Sequence, residues 1–321
     1  MNEHRSVLSR GVFLAATAAA LWPLPGRAEP AMRTLHAASS GDDDATPFLY
    51  AQSSGLFSKA GIEARLERAA SGSAVASGVV GGAYDLGKSS LLALITAHAH
   101  GVPVTIVAPA GEYDARAPIS GLIVKTNGAI RSAADLNGKV VAVSSLNDLY
   151  AISTKAWIDQ HGGDSKTLKL IELPISAVPE ALEQGRIDAG NVLEPHLEFA
   201  LQSGKARVLA HPFDAIAPQF LYSAWFTTKD AIAKDRDLLD RFSRVIHEAA
   251  IYANGHHAQT AAPLSAFTKV DPAIIAKSTR STAGTALNPK EVQPVIDAAA
   301  KYGAIATPYD ARELIDPSFA R

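Results

Sequence analysis

The sequence predicts an α/β protein of two similar lobes, each a mostly parallel sheet flanked by helices, joined by crossing segments with a ligand cleft between. Three observations predict it. A helix-strand-turn unit occurs twice, SAVASGVVGGAYDLG at 73–87 and SAVPEALEQGRIDAG at 176–190, with six of fifteen positions identical. The copies begin 103 residues apart, at Ser73 and Ser176, which is too long for a solenoid period and suits one unit in each of two lobes. Around both copies, apolar strand-like runs alternate with helix-like runs, the pattern of a parallel sheet covered on both faces.

Within each copy a small-residue helical run ends at a glycine, the residue type that closes helices in the left-handed conformation. A short strand carrying an Asp follows, at 83–86 and 186–189, and a second glycine releases the chain. The other elements fall in order. Residues 33–38 read as a strand, 39–46 as a polar loop, 47–54 as a helix with Pro47 in its first turn, and 62–67 as a strand. A helix at 89–98 and a strand at 102–107 complete the first lobe, and 110–118 reads as loop. The strand at 119–125 opens the second lobe. It continues with a short helix at 132–136, a strand at 139–144, a helix at 147–160, a strand at 168–173, a helix at 194–202 and a strand at 206–210. Residues 220–227 read as one returning strand, and 229–300 as mostly helix. The expected division is 1–28 as an export signal, 29–117 with 226–321 as lobe one, and 118–225 as lobe two.

Composition narrows the function classes. The chain has 321 residues, 47% hydrophobic and 19% charged, enough for a sizeable core and two domains. A formal charge of −2 gives no basic face for nucleic acid. There is no cysteine, which removes disulfides, thiolate metal sites, a cysteine nucleophile and a lipid anchor on an N-terminal cysteine. At the N-terminus Arg5 and Arg10 precede an apolar run at 11–22 too short to span a bilayer, and Gly26-Arg27-Ala28 offers small residues for cleavage after Ala28. This reads as a removed export signal. Ser9 to Leu14 resembles a twin-arginine box with Gly11 in place of the second arginine, which leaves the export route open. Without residues 1–28 the chain keeps 27 basic and 31 acidic residues.

Gly82-Ala83-Tyr84-Asp85-Leu86-Gly87-Lys88-Ser89 matches the phosphate-loop pattern G-x-x-x-x-G-K-S. The residues between its glycines read better as strand than as a backbone cradle, and the second copy has no lysine, so nucleotide binding is not expected. His98 with His100 and His256 with His257 lack helical ligand spacing and a companion carboxylate, so surface or capping roles are expected, with no metal and no cofactor. No G-x-S-x-G elbow is present for a serine nucleophile.

Open α/β sheets bind ligands at the carboxyl ends of their strands. Helices beginning there favour anions, and Ser71-Gly72-Ser73, Lys88-Ser89-Ser90 and Ser144-Ser145-Leu146-Asn147 stand at such starts, where they serve equally as ordinary caps. Lys88 is read as a solvated rim residue, with a cation for an anionic ligand as the alternative. Asp42-Asp43-Asp44, after the first strand, and Glu194 argue for the opposite ligand charge. The two sets of signals leave the ligand's charge open. Candidate ligand-binding residues are Ser40, Asp42, Phe48, Ser71, Gly72, Ser73, Ser89, Ser90, Ser145, Asn147, Glu194 and Trp225. Phe48 and Trp225 are chosen as aromatic walls for a planar or apolar part of the ligand.

The runs at 55–62 (GLFSKAGI), 82–87 (GAYDLG), 101–104 (GVPV), 134–143 (ADLNGKVVAV) and 185–189 (GRIDA), with Glu194-Pro195 after them, occur in an order and spacing that carry a family resemblance. The chain resembles the SsuA-like solute-binding proteins that serve nitrate, sulfonate, taurine and thiamine-precursor importers, from about Leu35 to Ala304. The resemblance implies a type II periplasmic-binding-protein fold and a small ligand, a sulfonate, nitrate-like anion or pyrimidine-like compound, held between the lobes. It also implies closure read by an ABC permease in the inner membrane. Glu194 is similar to the family's Glu-Pro position. A soluble periplasmic monomer is expected, and not an enzyme. Eukaryotic pyrimidine synthases of this fold use a cysteine-rich motif that this chain cannot form. The alternatives are an exported enzyme on the same scaffold acting on a similar small molecule, and a sensor that presents its ligand to a membrane receptor.

Overall fold

A computed structural model describes Met1, 31–69 and 71–320, so the expected export signal at 1–28 lies outside the described residues. The first lobe is built from Arg33–Ser39 (β1), Ile62–Arg68 (β2), Leu86–Ser90 (β3) and Val104–Pro109 (β4). Between them run the helices Thr46–Ser53 (α1), Leu56–Lys59 (α2), Gly72–Val80 (α3) and Leu91–Ala99 (α4). A short strand, Gly111–Asp114 (β5), leads out of this lobe.

The second lobe contains Ser120–Lys125 (β6), Val140–Val143 (β7), Lys169–Glu172 (β8), Ala189–Leu193 (β9) and Ala206–Ala210 (β10). Its helices are Leu149–Gln160 (α5), Val178–Glu183 (α6) and His196–Gln202 (α7). Gln219–Leu221 (β11) and Ser223–Thr228 (β12) return the chain. Lys229–Lys234 (α8), Arg236–Gly255 (α9), His257–Thr268 (α10), Pro272–Ile275 (α11), the two-residue strand Thr282–Ala283 (β13) and Pro289–Lys301 (α12) follow. Helix α9 buries Leu238, Leu239, Phe242, Val245, Ile246 and Ala249, a stripe at helical spacing, each large side chain contributing about 1.5–3 kcal/mol.

The two large sheets share one topology. The first is ordered β2-β1-β3-β12-β4 and the second β8-β7-β9-β6-β10. In each, the first three strands of that order run parallel, and the fourth runs antiparallel to both its neighbours. That antiparallel strand is the one by which the chain crosses, β12 into the first sheet and β6 into the second. A third sheet, β11-β5-β13, joins the crossings: β5 and β11 pair antiparallel from Glu112 with Leu221 to Asp114 with Gln219. Residues 110–118, expected as loop, therefore contain a strand. The run expected as one strand at 220–227 is two strands in different sheets, broken at Tyr222.

The repeated unit has the same geometry in both lobes. Gly82 and Gly185 follow their helices at φ +76°, the left-handed conformation that glycine adopts without steric cost. The Asp expected within a strand precedes it instead. Asp85 N–H donates to the His36 carbonyl while its carboxylate accepts from His36 N–H, each at 2.8 Å. Asp188 does the same to Val140, at 2.8 and 2.9 Å. Each Asp thus extends the parallel ladder by one rung, and the strands β3 and β9 start beyond it. The second glycine of each unit lies against the valine of Ser-Ala-Val: a Cβ on Gly87 would stand 2.3 Å from Val75 Cγ1, and one on Gly190 2.3 Å from Val178 Cγ1.

Substituting alanine at Gly87 or Gly190 is expected to lower stability by about 1–3 kcal/mol through overpacking. In urea unfolding, Gly190→Ala combined with Val178→Ala should recover most of its loss; additive losses would show that the close approach is not the cause.

Candidate functional site

The carboxyl ends of β1, β2, β3, β7 and β9 carry the loops in which most candidate residues lie. Lys88, in β3, is 1% exposed and donates to Asp44 Oδ1, with Asp42 Oδ2 3.5 Å away. The other oxygen of Asp44 accepts from Ser223 Oγ, which in turn accepts from the Gly111 N–H at 2.9 Å. One chain of bonds therefore joins β3, the loop after β1, β12 and the crossing strand β5. Burial disfavours the Lys88 charge, but the carboxylates of Asp44 and Asp42 outweigh it and hold the ammonium above its ordinary pKa. Lys88 is thus not the expected solvated rim residue. A lysine in the middle strand of this sheet stays charged because carboxylates accompany it inward.

A second buried pair lies beside the first. Asp43 accepts from Arg280 Nε at 3.0 Å and Nη2 at 2.8 Å, from the Ser281 N–H at 2.7 Å and from Thr46 Oγ1 at 2.9 Å. Arg280 Nη1 donates to the His257 carbonyl at 3.0 Å. Ser281 Oγ is hydrogen-bonded to the phenol of Tyr222, the residue that separates β11 from β12.

Groups from the second lobe reach this cluster. Glu194, after β9, is 7% exposed and accepts from the Glu198 N–H at 3.0 Å, with the backbone N–H of Thr279, beside Arg280, near enough to act on its charge. Burial pushes its carboxyl up to about 7, against those two donors and with the negative charges of Glu198 and Asp43 adding to the rise. Two residues on, burial and Arg68 lower the pKa of His196, while Asp42 raises it. Tyr150 of α5 is held neutral by burial and by the carboxylates of Asp42, Asp148 and Asp44. Asp148 caps α5, accepting from the Ala151 N–H at 3.0 Å and from Ser144 Oγ, and its burial raises its carboxyl to about 6.

The remaining candidates separate. Ser40 donates to Asp42 and belongs to the cluster. Ser71 and Ser90 cap α3 and α4, accepting from the N–H groups of Ala74 and Ala93 at 3.2 and 3.3 Å, and Ser71 also contacts Ser73 Oγ at 2.9 Å. Gly72 is the point where α3 meets β3, since a Cβ there would stand 2.4 Å from Ser89 Oγ. Ser89 itself is 1% exposed, beneath that contact. Ser145 donates to Glu172 at 3.1 Å, and Asn147 is exposed. Phe48 and Trp225 are corrected: both are 0% exposed and belong to the first lobe's core, stacked at 5.3 Å with Phe57 and Phe242 around them. Their large apolar area is buried within the lobe, so they do not wall a cleft. The phosphate-loop match places Gly87-Lys88-Ser89 inside β3, so a strand and not a helix start stands at the second glycine. Among the described residues no group of three or more His, Asp or Glu is arranged to hold a metal ion, and no helix is long and apolar enough to cross a membrane.

Sequence reasoning missed Arg280, Tyr150, Tyr222, Ser223 and His196. Arg280 lies 237 positions from Asp43, and no local pattern signals that pairing. Tyr150 had a signal in Asp148, whose capping position fixes the first turn of α5 toward the first lobe.

Removing Lys88 or Arg280 leaves a buried carboxylate uncompensated, so Lys88→Met and Arg280→Met should each lower stability by about 3–5 kcal/mol in urea unfolding. The Glu194 carboxyl binds its proton more tightly folded than unfolded. Its contribution to stability is full below about 4.5 and is lost as pH rises to about 7. Glu194→Gln should abolish that part of the decline, leaving the part from Asp148 between about 3.8 and 6. Superimposable profiles for the two proteins would contradict the assignment.

Residues 42–260 match the family model described as NMT1/THI5 like. No curated protein sequence matches the chain. Solved structures are similar in fold. The periplasmic aliphatic sulphonate binding protein SsuA from Escherichia coli aligns at a TM-score of 0.74 and 20% identity, covering 88% of this chain and 92% of that one. The ligand-binding component of an ABC-type import system from Staphylococcus aureus aligns at 0.77 and 12%, covering 90% and 98%. The periplasmic nitrate-binding protein NrtA from Synechocystis PCC 6803 aligns at 0.74 and 14%, covering 90% and 87%. The shared strand order of the two sheets, the paired crossings and the family match over 42–260 lead to one conclusion: the chain belongs to the NMT1/THI5-like family and has the fold of periplasmic binding proteins.

Proposed function

We propose that this protein is a soluble periplasmic solute-binding protein of an ABC importer, which closes its two lobes on a small organic compound and delivers it to a permease in the inner membrane. The observation that carries the reading is the convergence of polar groups from both lobes where the lobes meet: Asp42, Asp44 and Lys88 from the first, Tyr150, Glu194 and His196 from the second. A ligand touching both sets makes more contacts in the closed form and shifts the population toward it. The paired crossing strands β5 and β11 are where such a motion is absorbed. The names of the similar structures, a sulphonate-binding protein, a nitrate-binding protein and an importer's ligand-binding component, support the same class. Sulfonates, nitrate-like anions and pyrimidine-like compounds are the ligand classes to test.

In this reading the chain acts as a monomer, residues 1–28 are removed on export, and no chemistry is done on the ligand. The enzyme alternative requires a nucleophile and a base within reach of each other. The crevice's lysine and arginine are instead engaged by carboxylates. Thermal-shift measurements against those classes, with the compounds assayed afterwards, test the reading. Binding should raise the melting temperature with the compound recovered intact, and multiple turnovers of any compound would replace the binding-protein reading by the enzyme. For a compound that binds, Glu194→Ala should lower affinity more than about tenfold by calorimetry, of the order of one charge-assisted hydrogen bond. Unchanged affinity would remove Glu194 from the site.

A further inference from the structure

The crevice can be read for the charge of what it accepts, a reading that rests on its role as a solute-binding site. Three helix starts that face it are candidate anion sites, and each carries a side-chain cap from its own chain. Ser71 accepts from one first-turn N–H of α3, that of Ala74, and Ser90 from one of α4, that of Ala93. At α5 the capping group is Asp148, a carboxylate standing where an oxyanion would sit.

The two buried cations of the crevice are likewise engaged. Lys88 is held by Asp44 and Asp42. Every nitrogen of Arg280 has an acceptor, in Asp43, Thr46 or the His257 carbonyl. Arg68, exposed at the rim, packs against Gly41 and lies 3.4 Å from the Thr268 carbonyl, and together with burial it lowers the pKa of His196. Against these stand the carboxylates of Asp42, Asp43, Asp44, Asp148 and Glu194. Asp43 and Asp44 are saturated by Arg280 and by Lys88 with Ser223. Asp42 keeps its side chain 37% exposed, its Oδ2 alone serving Ser40 and Lys88. Glu194, buried on the second lobe, accepts from the Glu198 N–H and, among the described residues, from no side chain.

We propose that the ligand presents a nitrogen-based hydrogen-bond donor, an amine or amidine group, to Asp42 of the first lobe and Glu194 of the second, and that an oxyanion alone does not bind here. A donor bridging these two carboxylates supplies the charge that the crevice lacks and links the lobes through charge-assisted bonds. An oxyanion meets capped helix starts and, apart from Arg68 at the rim, cations already paired with carboxylates, and is repelled by the Asp42 carboxylate.

The test is differential scanning fluorimetry of the purified protein with benzamidine and 4-aminopyridine as donor probes, and sodium nitrate and sodium methanesulfonate as anions, at matched ionic strength. Donor probes should raise the melting temperature by several degrees, and the anions should not exceed a chloride control. By calorimetry, Asp42→Asn and Glu194→Gln should each weaken the donor probe at least tenfold. Asp42 is partly exposed, so its variant stays informative even where the Glu194 variant loses stability. Absence of a shift with both donor probes, or a shift with nitrate or methanesulfonate that the two variants strengthen or leave unchanged, overturns the proposal. The anion result would leave the binding-protein reading standing, whereas turnover of a probe would overturn that reading instead.

Discussion

The fold depends on one close contact used twice, a helix valine seated on a strand glycine. Val75 on Gly87 and Val178 on Gly190 bring a helix down onto the third strand of each sheet, with no room for a methyl group between them. Because the contact fixes where helix meets strand, it also fixes where the strand ends. The end of β3 delivers Lys88, Ser89 and Ser90, and the end of β9 delivers Glu194. The Asp before each strand sets its register against the neighbouring strand, so the two ends are placed alike in both lobes. Packing at the back of each sheet thereby positions the polar groups at its front.

Those polar groups form a network whose cost and purpose are distinct. Burying Lys88 with Asp44 and Arg280 with Asp43 gains little net stability, since desolvation offsets most of the attraction. What the pairs do is tie segments that are distant in sequence into one rigid floor: the loop after β1, β3, β12, the crossing strand β5 and the turn before β13. The groups left with acceptor capacity, Asp42 and Glu194, stand on opposite lobes. The floor's charges are paired within it, which leaves acceptor capacity to one carboxylate on each lobe.

Much of this was legible in the sequence, because the features that repeat or recur locally are those a sequence displays. The duplicated Ser-Ala-Val and Gly-x-x-Asp-x-Gly announced two lobes, and the alternation of elements announced their sheets. The strands of the repeat were placed too early, at 83–86 and 186–189, because an Asp amid apolar residues reads as part of a strand when it is in fact the rung before it. The crossing strand β5 is four residues with a half-polar pattern, indistinguishable from loop, and the break at Tyr222 is invisible in a run that is apolar on both sides. Phe48 and Trp225 were misplaced because an aromatic near a strand end fits core and cleft equally well from sequence. Arg280 could not be found, since its partner is brought to it only by the return of the chain through both lobes.

Whether the lobes move as bodies about the paired crossings is the central claim, and the cysteine-free chain allows it to be measured directly. Spin labels at Ser58→Cys on the first lobe and Gln184→Cys on the second would report the distance between lobes by pulsed electron paramagnetic resonance. On adding a saturating amount of the compound that most raises the melting temperature, the distance distribution should shorten and narrow. An unchanged distribution at full occupancy would contradict closure.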